Sequence, residues 1–317
     1  MTLYRLIYES KLAPPILGGL LMIGLITVYI SVDVLSNLPA GYTSSLELLG
    51  QLMLFTLLLP YLLVGVIYAQ RYSLKLAHET EEFDEALAHA VSHPPARFLL
   101  MGIIAGLLYA NLFNVPSSFW SALESPVVLS ILLSQNLVWV CIGPAIAIRL
   151  HTAMQFNEAG KRVPINIYEQ SSLRPFSRNS LVDVLVIMGA LSLTALQSID
   201  AQFRYFNYVW SLIVSIPAAL TLAVVPMVAI HRRILALRNT EHTAINKIIK
   251  DSPRDLATTN IAALELLLQR RERLLALNTW PVDVTIVVRF FLYLVIPPLA
   301  WLGAAMVEIA LDTAIGG

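Results

Sequence analysis

Seven runs of predominantly apolar residues divide this chain, each near the roughly 20 residues a helix needs to cross the hydrocarbon of a bilayer. They fall at 14–35, 46–69, 97–115, 127–149, 181–200, 207–230 and 285–309. Hydrophobic residues make up 57% of the chain and charged ones only 13%, against about 25% charged in soluble domains. A mean hydropathy of +0.71 over the whole length does not fit a water-soluble core with a polar shell. The expected fold is an all-α polytopic transmembrane bundle, built as three hairpins followed by one helix. The loops closing the hairpins, 36–45, 116–126 and 201–206, are too short to fold independently. Arg5 and Lys11 precede the first run, but that run is longer than the 7–15 residues of a signal-peptide core. It is expected to stay as a first span.

Direction follows from Lys and Arg, because positively charged loops resist translocation. With seven spans, every one of the 21 basic residues except Arg204 falls on one side. That side holds Arg71, Lys75 and Arg97 in one connection, and Arg149, Lys161, Arg162, Arg174 and Arg178 in the next. The N-terminus is therefore expected in the cytoplasm and the C-terminus outside, with a bacterial inner membrane as the best fit. A net charge of zero gives no footing for a nucleic-acid partner. The single Cys141 cannot form a disulfide within the chain.

Prolines recur with a rhythm. Pro15, Pro95 and Pro175 open the odd-numbered spans at intervals of 80 residues, and Pro60, Pro144 and Pro226 lie inside the even-numbered ones. This suggests a threefold hairpin repeat of the parallel kind. Proline is also favoured in the first helical turn and tolerated inside spans, which explains the same pattern without any repeat.

Three regions follow: transmembrane hairpins over 1–230, a cytoplasmic antiparallel helical hairpin over 231–280, and a last span with a short external end over 281–317. The sixth span is expected to continue past Ile230 and break at Asp251-Ser252-Pro253. The helix that follows carries an apolar surface wider than one neighbour would cover, including Ile261, Leu264, Leu267, Leu268 and Leu275. These five are the candidate partner-binding residues. After the second span, Leu76, Phe83, Leu87, Ala90 and Val91 would form one apolar stripe of an amphipathic helix. Leu173-Arg-Pro-Phe-Ser-Arg178 and Trp280-Pro-Val-Asp283 read as membrane-entry segments, with aromatics and arginines at the headgroups.

Candidate chemistry is sparse. His78, Glu82, Glu85 and His89 fall at helical spacing and are weak metal candidates, since the wet face of an amphipathic helix needs such residues anyway. No phosphate loop, His-Glu-x-x-His or serine elbow occurs, and no lysine in the last span could hold retinal. No enzyme activity and no cofactor is expected. Asp183 and Arg289 are expected to pair across the fifth and seventh spans near the cytoplasmic boundary, with nothing charged at the midplane. Gln135 and Asn136 are the deepest polar residues and a candidate intramembrane site, with interhelical hydrogen bonding as their plainer use. Gly102/Gly106 and Gly143/Ala147 have the spacing for close helix approach. The first functional expectation is a non-enzymatic scaffold, assembly or sensory subunit, binding another protein or a second copy through 231–280. The alternative is a channel or transporter for an uncharged or lipid-like substrate. Membrane lipids are partners in either case.

Overall fold

The computed structural model describes residues 10–39, 44–80, 85–113, 125–168, 171–198, 205–251, 261–282 and 284–315. Among these no strand occurs, and six helices are long and apolar enough to cross a membrane. In chain order the helices are α1 (Ala13–Ser31), α2 (Ser45–His78), α3 (Glu85–Ser92), α4 (Ala96–Phe113) and α5 (Pro126–Gly160). There follow α6 (Arg174–Leu193), α7 (Tyr205–Asp251), α8 (Ile261–Ala276) and α9 (Val284–Ile315). The seventh apolar run falls on α9, whose apolar stretch Val288–Gly303 is shorter than those of the six.

Local sequence sets several helix starts. Ser44 accepts a hydrogen bond from the Glu47 backbone N–H at 3.1 Å, the Ser-x-x-Glu pattern of a capping box. Ser125 caps α5 ahead of Pro126, and α1 and α6 also carry proline in the first turn, where its missing N–H costs nothing. At 1.5 Å per residue α2, α5 and α7 run for about 50 to 70 Å, well beyond the hydrocarbon thickness. These long helices end at one end of the bundle, here called the basic end because Lys and Arg gather there.

Packing uses small residues wherever backbones come close. A Cβ on Gly102 would stand 2.6 Å from Pro144 Cα, one on Gly106 would strike the Trp139 carbonyl, and one on Gly143 the Gly102 carbonyl. The α4–α5 contact is therefore backbone on backbone, as the glycine spacing implies. Tyr61 lies over Gly189 and donates to the Val186 carbonyl at 3.2 Å, joining α2 to α6. By contrast, α1 leaves Ile16, Leu20, Ile23 and Ile30 exposed and touches the bundle through Gly18 against Pro60 and Val64. A helix that is apolar all round yet largely exposed suits a lipid surround.

Two cores close the ends. At the basic end Leu76, Leu87, Val91, Phe156, Phe176, Ile230 and Ile234 pack together. At the opposite end Tyr29, Leu48, Leu52, Phe55 and Val127 do so, with Tyr29 donating to Ser134 at 2.7 Å. Two expectations change here. Phe176 meets Phe156 edge-on at 5.7 Å inside the core, not the headgroups, because its helix packs that face inward. The chain after the second span is not one helix, since α2 ends at His78 and α3 begins at Glu85. Leu87 and Val91 are nonetheless buried, as their stripe implies.

The long helix α7 is described as far as Asp251, and α8 packs on it and on the strip after α5 through Ile245, Leu274 and Ile167. Arg270 binds Glu241 at 3.0 Å and the Tyr168 hydroxyl at 3.3 Å around that contact. Ser252 and Pro253, expected to form the break, lie outside the described residues, as do Arg204 and Glu82.

Candidate functional site: a cavity that ends on a buried ion pair

Four helices, α2, α5, α6 and α7, surround a cavity of about 370 Å³, within the range of small-molecule sites. Partly exposed polar residues line it toward the end opposite the basic one: Glu47 and Gln51 from α2, and Gln197 after α6. Its walls are mostly apolar, with Leu58, Leu62 and Val66 on α2, Ile142 and Ile146 on α5, and Val186 and Ile187 on α6, and they also carry Gln135 on α5 and Ser211 and Ser215 on α7. Its floor is Arg149 and Asp183, which are 3% and 1% exposed.

Arg149 is the hub of that floor. Its Nε donates to Asp183 Oδ1, Nη1 to Gln70 Oε1 at 2.7 Å, and Nη2 to Ser73 Oγ at 2.8 Å and Asn179 Oδ1 at 3.2 Å. Around it, Asn179 Nδ2 donates to Asp183 Oδ2 at 3.2 Å and Thr152 Oγ1 to Gln70 Oε1 at 3.2 Å. Gln70 Nε2 reaches back to the Val91 carbonyl of α3. The network thus links α2, α3, α5 and α6 at one point. Two opposite charges buried side by side form a net-neutral unit, and hydrogen bonds on both partners offset much of the cost of removing them from water.

This corrects the expected pairing. Asp183 binds Arg149, and Arg289 is exposed on α9. Arg149 is likewise no loop residue, because α5 continues for eleven residues beyond it to Gly160 and turns it into the bundle. The sequence does carry a signal for this: polar residues at helical spacing, Gln70/Ser73, Arg149/Thr152 and Asn179/Asp183, inside otherwise apolar helices. No family model, no curated protein and no solved structure matches this chain. Its function must be read from the site itself.

The other candidates separate. Gln135 lines the cavity, whereas Asn136 accepts from Asn111 Nδ2 at 2.8 Å across the α4–α5 contact. His78 and Glu85 sit on different helices, and His89 stacks on His93 at 4.7 Å. Among the described residues no group of three or more His, Cys, Asp or Glu could hold a metal, with Glu82 outside them. Of the partner-binding residues, Leu267 packs toward Ile245 and Leu274, and Leu264 is half-buried. Ile261, Leu268 and Leu275 are exposed.

Proposed function

We propose that the protein is a seven-span membrane protein that binds a small uncharged or lipid-like molecule in this cavity and passes it across the bilayer, as a carrier or channel. The supporting observation is the cavity's extent. Glu47 and Val66 both line it, and their separation of nineteen positions along α2 corresponds to about 28 Å of depth. A passage of that length needs only the floor to open. The distribution of basic residues supports an inner-membrane orientation with the N-terminus cytoplasmic, so the mouth faces outward and the floor inward. The contacts between α1 and α2, α4 and α5, and α6 and α7 support a threefold hairpin repeat. Superposing the three pairs decides that point, and misaligned prolines would end it.

Cys141 is the only cysteine, so Cys141→Ser provides a clean background for single cysteines at Leu62 and Ile146. In sealed vesicles of known orientation, a membrane-impermeant thiol reagent is expected to label these positions from the mouth side and, in a second state, from the floor side. Labelling from the mouth side alone under every condition would refute passage.

A second reading, the scaffold or sensory subunit, keeps one specific support. Ile261, Leu268 and Leu275 are spaced seven residues apart and form one exposed apolar line on α8, beside the face that packs on α7. Under this reading α7 and α8 make a cytoplasmic hairpin that holds another protein. Changing all three to serine should release a co-purifying partner while leaving the protein folded, and retention of that partner would dismiss the line as its contact.

A further inference from the structure

We infer that the cavity holds an amphiphile with its head at the mouth and its apolar part toward the floor, and that the head carries several neighbouring hydroxyls, as a glycosyl or glyceryl group does. The inference rests on the ligand-binding reading above and narrows its substrate class.

The lining is sorted by depth. All four walls bring polar side chains to the mouth half: Glu47 and Gln51 on α2, Gln135 on α5, Gln197 just after α6, and Ser211 and Ser215 on α7. Each of these residues is part-exposed. Deeper, Ile142 and Ile146 on α5 and Val186 and Ile187 on α6 are part-exposed too, and offer no side-chain hydrogen bond. Gln135 and Arg149 are fourteen positions apart along α5, which puts about 21 Å between the polar collar and the floor. The floor itself is closed to a ligand, because the Asp183 side chain is 0% exposed and that of Arg149 only 3%. A polar head therefore finds accessible partners at the mouth, and an apolar chain gains by burial below it.

The collar's chemistry narrows the head. Glu47 ends in a carboxylate and Gln51, Gln135 and Gln197 in carboxamides, four planar forks that each present two polar atoms side by side. Hydroxyls on adjacent carbons match such a fork. They donate to both oxygens of a carboxylate, or donate to the oxygen of an amide while accepting from its nitrogen. A single hydroxyl uses half of one fork. Ser211 and Ser215 each add a further donor and acceptor. Among the described residues no hydrogen bond ties the side chains of Gln135, Ser211 or Ser215 to the protein, and Gln197 Oε1 has no partner. An anionic head would meet the Glu47 carboxylate at the same depth, and a trimethylammonium would leave the amide and hydroxyl donors without an acceptor.

The test uses the full-length protein in nanodiscs and three probes with the same dodecyl chain, bearing a glucosyl, a single hydroxyl or a trimethylammonium head. Each is made in two forms, with the photoreactive group beside the head or at the chain end, and labelled residues are mapped by mass spectrometry. The glucosyl probe is expected to label Gln51 and Gln135 from beside its head and Ile146 and Val186 from its chain end, about tenfold above the other two probes. The reverse placement of the two labels overturns the orientation. Equal or stronger cavity labelling by the single-hydroxyl or trimethylammonium probe overturns the head assignment. Absence of cavity labelling by all three, with Ile16 and Leu20 of α1 labelled as lipid-facing controls, overturns the ligand-binding reading itself. Gln51→Leu combined with Gln135→Leu should bring the glucosyl probe down to the level of the single-hydroxyl probe, and an undiminished preference overturns the collar as the head's seat. Should that variant fail to fold, the two label positions and the head series on the unaltered chain decide the matter alone.

Discussion

The Arg149 guanidinium donates through Nε to Asp183 Oδ1, joining α5 to α6 across 34 positions of sequence with both side chains out of reach of solvent. Breaking one side of such a pair leaves the other charge buried and unpaired, which costs about 3–5 kcal/mol, whereas replacing both by apolar residues of similar volume is often neutral. Arg149→Met or Asp183→Leu alone should therefore lower the thermal midpoint in detergent sharply. The double variant should recover most of the loss. A double variant no more stable than either single one would show that Gln70, Ser73 and Asn179 depend on the pair for their own partners.

The α4–α5 contact gives a second prediction. Gly102→Val, Gly106→Val or Gly143→Val would force apart backbones already in contact, at about 1–3 kcal/mol each from overpacking alone. Gly19→Ala and Gly24→Ala meet open space and should be neutral or slightly stabilising, since alanine favours a helix over glycine by up to about 1 kcal/mol. Thermal melts of these five variants test the contrast.

Gln135 and Asn136 are neighbours in sequence with different surroundings. Asn136→Leu should remove the bond to Asn111 at a cost of about 0.6–2 kcal/mol, and leave ligand labelling of the cavity unchanged. Gln135→Leu should do the reverse, altering labelling with little change in melting temperature. Equal effects of the two on labelling would argue against the cavity as the site.

On α8, Leu274→Asp should separate the helix from α7, because Leu274 is fully buried against Ile245 and Ile167. Limited proteolysis after residue 251 would report the release. Glu241→Gln weakens only solvent-accessible contacts with Arg270 and the Tyr168 hydroxyl and should cost less than about 1 kcal/mol.

Much of the architecture was legible in the residues because lipid imposes strict requirements. Length and apolarity mark α1, α2 and α4 to α7, and the Ser44 cap and the first-turn prolines set several starts. The glycines Gly102, Gly106 and Gly143 announced close packing, since small residues at that spacing have few other uses in a span.

The candidate site was legible only as fragments. Gln135 could be picked out as a deep polar residue of a span and Asp183 as an ionisable residue near the boundary, but Arg149 looked like a boundary residue that sets orientation. Hydropathy measures where a helix can sit in a bilayer and is blind to which way each side chain turns. What the sequence by itself determined is the set of membrane-competent helices and the side of the bundle where positive charge collects, because both depend on local composition. Tertiary structure alone decided that Asp183 meets Arg149 and not Arg289, that Asn136 turns to Asn111 while Gln135 faces the cavity, and that four helices stand far enough apart to leave a slot between them. Those outcomes depend on helix rotation and separation, which arise from packing among residues 25 to more than 100 positions apart.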